Sequence, residues 1–338
     1  MSKNISRNNH FLSQMYLEGW ATNKKVEVYE CRVPNSNVPM WQTKSIKGIG
    51  SYDSMYVRLK EGEETDDIEK YFCNQFETPA KRALTKARGG EHLTKEEWDQ
   101  LIRFAICHMV RSPKFIEKTI EIGIQIGPQV LEDLKKEVEE ESIKKSQEED
   151  EISPSFRKLF PMQIEKVESD EKSTTLKVET IIGKQFYLWF MFWYLKDAIQ
   201  KLQNHKWAIL TLDSKVSLPT TDNPVAFLNY KSLSDYTLED TWDKEGVEIY
   251  FPLSPNRILY CAKDKKYPRY MQVDKPNSFF LKGIIIENAY RKIISNKKDP
   301  EVPLLMPRII DEKVYQEEKE KWANFQKIYL KEESKYIN

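Results

Sequence analysis

Seven of the ten residues from Phe186 to Leu195 are aromatic, and this run carries no charged side chain. The run is half as long as the ~20 apolar residues that a membrane-spanning helix needs, so it is typical of a buried helix. A helix with apolar side chains on all its faces must be surrounded by other elements. The segment therefore predicts a central helix, from about residue 183 to 204, inside a sizeable core.

The chain of 338 residues is long enough for such a core, since chains of about 300 residues bury roughly three-quarters of their unfolded surface. It has 53 basic and 53 acidic residues, so its formal net charge is zero. This balance argues against a globally basic nucleic-acid-binding protein but leaves room for a local basic cleft. The aromatic content of 12% argues against a disordered chain.

The first ten residues are polar and no apolar run follows them, which argues against a secretory signal. The cysteines are widely spaced and form no CxxC pair; they are Cys31, Cys73, Cys107 and Cys261. That spacing suits neither a structural zinc site nor a disulfide-rich scaffold. We therefore expect a cytoplasmic protein without membrane contact.

A second apolar segment predicts another central helix, between Thr94 and Arg111. Thr94 and Glu97 have the spacing of a capping box, in which each side chain accepts a hydrogen bond from the other residue's backbone amide. The residues that follow are apolar on nearly every face of a helix.

Before this helix, apolar residues at four-residue steps predict another helix over 66–86. Gly89-Gly90 is expected to terminate it. The short connection favours antiparallel packing of these two helices.

Short strands bounded by turn residues are predicted mostly after the aromatic helix. We expect strands at 26–31, 207–212, 225–228, 247–251, 257–261 and 270–273. Helices are expected again at 278–295 and 311–336. Because strands and helices are segregated along the chain, the predicted fold class is α+β, with a helical core packed against a mostly antiparallel sheet.

The predicted organisation is one α+β domain over residues 1–310, interrupted by a charged insertion at about 132–155. The alternating charges of 132–151 are typical of a solvated helix that frays into a loop. A C-terminal amphipathic helix follows at 311–338.

No familiar catalytic or phosphate-binding motif occurs in the chain. His108 and Arg111 are notable because they interrupt an apolar helix about one turn apart. A buried charge without a partner costs on the order of several kcal/mol, so both side chains need polar partners. Either they form a structural pair tied to a core carboxylate, or they form a clamp for an anionic substrate.

Glu69 and Glu77 lie eight residues apart on the predicted helix over 66–86, which offsets them by roughly 80° of helical rotation. Both therefore border one face of that helix. They are either salt-bridge partners for Arg111 and His108, or a pair of carboxylates for acid–base catalysis or magnesium binding.

Asp222-Asn223-Pro224 lies between two predicted strands. Asp and Asn side chains commonly bond the backbone in such turns, which favours a structural role. Asp222 could equally present its carboxylate into a cleft at the strand end. The residue types alone leave both alternatives open.

The chain also carries a series of short blocks in a fixed order: His10–Trp20, Ile68-Glu69, Glu77, Arg111–Pro113, Thr221–Val225, Phe251–Pro255, Asn277, Ala289 and Arg291. In this order, over roughly residues 8–296, they resemble the bacterial family known as domain of unknown function 4238. Ser13 stands where the family usually has proline, and Trp20 where it usually has phenylalanine. The resemblance implies a single soluble α+β domain in which the polar members of the blocks converge, namely His10, Gln14, Glu69, Glu77, Arg111, Asp222 and Asn223.

The first hypothesis on function is a nuclease-like hydrolase that acts as a toxin or antiviral-defence effector. Histidine, paired carboxylates and arginine are the parts of a phosphodiester-cleaving site. The roles would be catalysis by His10, Glu77 and Asp222, substrate binding by Gln14, Arg111 and Asn223, and binding of a divalent metal such as magnesium by Glu69 and Glu77. The substrate would be nucleic acid or a small phosphorylated ligand, approached along a basic rim of Arg103, Lys114 and Lys118.

The second hypothesis is a non-catalytic regulatory protein that binds a ligand or a protein partner. The same polar residues would then form a buried network that holds the domain together. A protein partner would dock through the charged helix at 132–151 or through the C-terminal helix.

Overall fold

The structure is a computed structural model that describes residues 5–60, 63–141, 162–170, 173–181, 183–232, 234–239, 241–263 and 265–333. Its α-helices are α1 (Gln14–Leu17), α2 (Asp67–Phe72), α3 (Thr78–Gly89), α4 (Lys95–Arg111), α5 (Pro113–Glu141), α6 (Lys184–Leu202), α7 (Lys275–Glu287), α8 (Val302–Leu305) and α9 (Glu312–Glu333). A π turn (Cys73–Glu77) joins α2 to α3, and a short 3-10 helix covers Ile46–Gly48.

The strands are β1 (Asn8–His10), β2 (Lys25–Glu30), β3 (Arg32–Val33), β4 (Gln42–Ser45), β5 (Ser51–Asp53), β6 (Arg58–Lys60), β7 (Glu63–Thr65), β8 (Met162–Asp170), β9 (Ser173–Thr180), β10 (Trp207–Thr211), β11 (Thr220–Thr221), β12 (Ala226–Ser232), β13 (Asp235–Glu239), β14 (Val247–Ser254), β15 (Arg257–Ala262), β16 (Tyr270–Gln272), β17 (Lys292–Ser295) and β18 (Ile309–Ile310).

Six strands form the main sheet, in the order β13-β12-β14-β15-β10-β16. Its neighbours are antiparallel except for β10 and β16, which are parallel. A second sheet has four antiparallel strands in the order β11-β17-β2-β4. The remaining pairs are β1-β5, β6-β7, β8-β9 and β18-β3. The predicted α+β class with a mostly antiparallel sheet is confirmed.

The main sheet is covered on both faces, and β14 is buried along its whole length. Phe251 and Leu253 belong to the large core cluster that also contains the buried residues of α4 and α6. Tyr250 points to the other face, where it joins a cluster that includes the apolar side of α7. Because side chains alternate along a strand, one strand can serve both clusters. The prediction that α4 and α6 are central helices is confirmed.

The predicted capping box at the start of α4 is confirmed. Thr94 Oγ1 accepts a hydrogen bond from the Glu97 amide at 3.2 Å, and Glu97 Oε2 accepts one from the Thr94 amide at 2.9 Å. These bonds satisfy amides that the first helical turn leaves without an intrahelical partner.

Two predicted helices differ from the observed elements. The helix expected at 278–295 is wrong in its second half, because α7 ends at Glu287 and Lys292–Ser295 form β17. This segment pairs with β2 on one side and β11 on the other, so distant partners override its local pattern. The helix expected at 66–86 is interrupted by the π turn.

The start of the predicted charged insertion, residues 132–141, belongs to α5. Residues 142–155 of that insertion lie outside the described residues. Among the helices that the structure describes, none combines the length and the apolar character required to cross a membrane.

Candidate functional site

The seven candidate residues form two groups with different hydrogen-bond partners. The first group surrounds the end of α4 and consists of His10, Gln14, Glu69, Glu77 and Arg111. The second group consists of Asp222 and Asn223, which bind the segment from 288 to 292. Each group is held by its own set of hydrogen bonds.

Arg111 is the centre of the first group, and its side chain is fully buried. Its Nη1 donates to Glu77 Oε1 at 2.7 Å, its Nη2 donates to the backbone carbonyl of His10, and its Nε lies 3.4 Å from the Tyr56 hydroxyl. The guanidinium carbon also lies 4.7 Å from the centre of the Phe72 ring. Burial alone would lower the pKa of Arg111, but Tyr56 and Glu77 outweigh it and raise the pKa above its usual value.

The π turn brings two carboxylates to this guanidinium. Glu77 lies at 2.7 Å from Nη1, and Glu69 Oε2 lies at 4.0 Å from Nη2 of Arg111. A regular α-helix would offset the two carboxylates by roughly 80°, but an i→i+5 turn takes up more residues than an α turn. The π turn between them (Cys73–Glu77) corrects this offset, so that both side chains face Arg111.

His10 lies at the end of β1, and its side chain is 14% exposed. Its backbone amide donates to Glu69 Oε1 at 3.2 Å, and its ring Nδ1 lies 3.9 Å from the same oxygen. Its Nε2 lies 3.4 Å from the amide nitrogen of Gln14, which is exposed on α1. Burial and the charge of Arg111 lower the pKa of His10, which favours the neutral ring.

Glu69 differs from Glu77 in how its oxygens are satisfied. Burial raises the pKa of Glu69, and the charge of Arg111 opposes that effect. Its Oε2 is buried and has no hydrogen-bond partner. Within the described part of the chain, no three or more His, Cys, Asp or Glu side chains are grouped to hold a metal ion. The metal-binding role of Glu69 and Glu77 stays a prediction, and both carboxylates are directed at Arg111.

Asp222 lies directly after β11 and is only 2% exposed. Its Oδ1 accepts the backbone amides of Tyr290 and Arg291 at 3.0 and 3.1 Å, and its Oδ2 accepts the Arg291 amide at 3.0 Å. Burial raises the pKa of Asp222, whereas the Arg291 amide favours the ionised form. The carboxylate therefore holds a backbone turn in place.

Asn223 extends the same connection. Its side-chain amide donates to the Asn288 carbonyl at 3.1 Å, and the Asn288 side chain donates back to the carbonyls of Asn223 and Val225 at 2.7 and 3.0 Å. Thr221 Oγ1 accepts the Asn223 amide at 3.2 Å. The turn that follows β11 is thus bound to the segment between α7 and β17 by reciprocal hydrogen bonds.

Sequence reasoning missed Arg88, which joins two of the family-like blocks. Its Nε donates to the Leu253 carbonyl at 2.7 Å and its Nη2 donates to the Tyr16 carbonyl at 2.6 Å. Gly19 allows this approach, because a Cβ there would lie 2.7 Å from Arg88 Nη2 and 2.9 Å from the Leu253 carbonyl. Arg88 does not lie in a recognisable sequence motif, so only its tertiary contacts show that it connects the two blocks.

His108 is fully buried next to Tyr16 and Phe104, with ring centres 5.1 and 4.4 Å away. Its Nδ1 carries a proton, because it bonds the Phe104 carbonyl at 3.0 Å and a carbonyl can only accept. Its Nε2 is buried without a hydrogen-bond partner. Burial and the charge of Arg111 lower the pKa of His108 to about 4. His108 is therefore a neutral core histidine.

A cavity of about 390 Å³ lies between α4, α5, α6 and β12. Its apolar lining residues are Met109, Phe115, Ile122, Phe190, Tyr194, Val225 and Phe227. Its polar and charged lining residues are Ser112, Lys114, Lys118, Thr119, Asn223, Glu239, Thr241, Lys244 and Asn288. Asn223 is the candidate residue that reaches this cavity, and Lys114 and Lys118 belong to the predicted basic rim.

The fold and these contacts define an α+β protein in which most of the predicted polar residues are hydrogen-bonded into the protein interior, close to an apolar cavity. The chain belongs to the family described as "Protein of unknown function (DUF4238)", whose model matches residues 8–299. The resemblance inferred from the sequence blocks is confirmed. No curated protein and no solved structure matches the chain.

Substitution of Glu77 by alanine should destabilise the protein strongly. It leaves the fully buried Arg111 guanidinium without its 2.7 Å ion-pair partner, and such a loss costs roughly 3 kcal/mol. We expect the free energy of unfolding, measured with urea, to fall by about this amount. The control is Glu91→Ala, at an exposed position, which should change it by less than about 0.5 kcal/mol. Equal losses in the two variants would contradict the central role of the pair.

The burial of neutral His108 predicts a loss of stability in acid. Its folded-state pKa of about 4 lies below the usual 6.5, so the unfolded chain binds a proton that the folded chain does not. Stability should therefore fall as the pH drops from 6.5 to 4. His108→Gln removes this contribution and should flatten the curve of unfolding free energy against pH, with the lowered pKa of His10 leaving a smaller slope. An unchanged curve would show that His108 is not the responsible group.

Proposed function

We propose that this protein binds a small, mostly apolar ligand in the cavity between α4, α5, α6 and β12, without catalysing a reaction. The observation that carries the proposal is the cavity itself, at about 390 Å³, whose surface is mostly apolar although nine of its sixteen lining residues are polar or charged. Ligand sites commonly enclose about 300–1,000 Å³ and combine a mostly apolar surface with a few polar groups.

Three aromatic rings supply one wall of the cavity. The centre of the Tyr194 ring lies 5.2 Å from that of Phe115 and 6.1 Å from that of Phe190. Rings at these separations pack against one another and present a flat apolar surface to a ligand. The Tyr194 hydroxyl lies 3.3 Å from Thr241 Oγ1 at the same cavity, which places a polar group beside the apolar wall.

Charged side chains also line the cavity, and lysines outnumber carboxylates among them. Lys114, Lys118 and Lys244 line it together with a single carboxylate, that of Glu239. Lys244 pairs with Glu239, and Lys118 lies 4.0 Å from Glu121. Lysine side chains combine an apolar stem with a charged end, so they can contact both parts of an amphipathic ligand.

The burial of Arg111, predicted to bind substrate, and of Asp222, predicted to be catalytic, supports a binding function over a hydrolytic one. Arg111 is fully buried and paired, and Asp222 is bonded to backbone amides. A phosphate clamp or a catalytic carboxylate has to touch its substrate. In this arrangement the two side chains stabilise the domain instead.

Filling the cavity should abolish ligand binding. An anilinonaphthalene sulfonate dye is a suitable probe, because it is aromatic and carries one negative charge. We expect saturable binding to the wild-type protein in a fluorescence titration, and at least tenfold weaker binding to Ile122→Trp. Ile120→Trp is the matched control, because Ile120 lies on the same helix but lines a different cavity. Wild-type affinity in Ile122→Trp, or equal losses in both folded variants, would refute the proposed site.

The nuclease-like hydrolase is the second candidate function, and the contact between His10 and Glu69 favours it. The ring Nδ1 lies 3.9 Å from Glu69 Oε1, and the two residues have pKa values shifted in opposite directions. These shifts bring the two pKa values closer together, which suits proton transfer between the two groups. Induced expression of the wild type would then arrest growth and degrade RNA or DNA, and His10→Ala would abolish both effects. Intact nucleic acids and normal growth with the wild type would exclude a toxic nuclease or antiviral effector of this kind.

A further inference from the structure

Two arginines from distant parts of the chain converge on one carboxylate of the C-terminal helix. Arg32, in β3, contacts Glu318 of α9 through its Nη1. Arg291, just before β17, places its Nη2 at 3.1 Å from the other oxygen of the same carboxylate. These side chains belong neither to the lining of the cavity between α4, α5, α6 and β12 nor to the hydrogen-bonded group around Arg111.

The two arginines are held in place by backbone contacts that do not involve α9. The Cys31 amide donates to the Arg291 carbonyl at 2.7 Å, so the residue before Arg32 is bonded directly to Arg291. Asp222 holds the Arg291 amide from the opposite side, at 3.0 and 3.1 Å. These contacts lie within the family match over residues 8–299, whereas Glu318 lies outside it. The arginine pair therefore lies within the family match, and the carboxylate lies on a helix that follows it.

The carboxylate of Glu318 does not use all the N–H donors of the two arginines. Arg291 Nε is buried and has no hydrogen-bond partner, although it lies on the same edge of the guanidinium as Nη2. Arginine binds phosphate and carboxylate groups best when two parallel N–H groups reach two oxygens. Glu318 engages Arg291 through Nη2 alone. An oxyanion with more freedom of position could use Nε and Nη2 together.

Open space adjoins Glu318 on α9, although Trp322 packs against Tyr52 with the two ring centres 4.5 Å apart. Cavities of about 230 and 520 Å³ are both lined by Arg291, Glu318 and Trp322. The nearby ion pair between Lys321 and Glu117 is largely exposed, and exposed pairs contribute roughly 0–1 kcal/mol. The Glu318 carboxylate therefore has space into which it can move away from the arginines.

We propose that Arg32 and Arg291 form a binding site for the phosphate group of a small ligand, and that Glu318 is an internal competitor which occupies the site when the ligand is absent. Removal of Glu318 leaves one carboxylate at the smaller cavity, that of Glu30, which already pairs with Lys44. The basic residues that line this cavity are Arg32, Arg291, Lys292 and Lys319. Their excess of positive charge suits a phosphate dianion. The ring of Tyr290, 4.8 Å from the Arg291 guanidinium carbon, supports the planar orientation of that side chain.

The test is calorimetric titration of inorganic phosphate, at constant ionic strength, into the full-length wild type and into Glu318→Gln. We expect at least tenfold tighter binding to Glu318→Gln, because the competing charge is removed while the arginines remain. The matched control is Glu317→Gln, the neighbouring exposed carboxylate on α9, which should bind like the wild type. The double variant Glu318→Gln/Arg291→Gln should lose the added affinity.

Equal affinity in Glu318→Gln and Glu317→Gln would overturn the proposal, as would tight binding that persists in the double variant. A parallel titration with acetate separates phosphate from carboxylate recognition, and tighter binding of acetate than of phosphate would refute the phosphate assignment. Tryptic cleavage of the wild type near Lys319 and Lys321 provides a second measurement. Phosphate should accelerate it relative to chloride of the same ionic strength, and identical rates would count against displacement of α9.

Discussion

The burial of the Arg111 guanidinium is the constraint on which the rest of the structure depends. An unpaired charge at a fully buried position is too costly to keep, so several segments must meet at the end of α4. The carbonyl at the end of β1, the carboxylate at the end of the π turn and the Tyr56 hydroxyl each satisfy one side of this group. Arg111 therefore fixes how the N-terminal segment and the α2–α3 helices pack on the central helix.

A second connection of the same kind binds the turn after β11 to the segment between α7 and β17. Asp222 accepts backbone amides of Tyr290 and Arg291, and Asn223 exchanges hydrogen bonds with Asn288. Polar residues that are distant along the chain thus bond to one another. The two proposed ligand sites adjoin these connections. One is the cavity that Asn223 borders, and the other is the pair of Arg32 and Arg291, of which Asp222 holds the Arg291 amide.

The elements that follow from local chemistry were predictable. The capping box of Thr94 and Glu97, the central α4 and α6, and the strands of the main sheet all carry strong local signals. The π turn left no such signal, because the apolar steps of residues 66–86 suit an uninterrupted helix. The segment Lys292–Ser295 also looked helical by its pattern, yet it becomes a strand since β2 and β11 supply hydrogen-bond partners on both sides.

The sequence by itself determined the fold class, the two central helices and the family, because periodicity, capping residues and ordered blocks are properties of neighbouring residues. It also identified the polar residues that needed partners, since charges inside apolar segments must be satisfied. Only the tertiary structure decided which hydrogen-bonding groups those partners are. Arg111 meets a carbonyl 101 residues away and Asp222 meets amides 68 and 69 residues away. Such separations along the chain are bridged by the packing of whole elements. The division of the one expected site into two hydrogen-bonded groups therefore appears only in three dimensions.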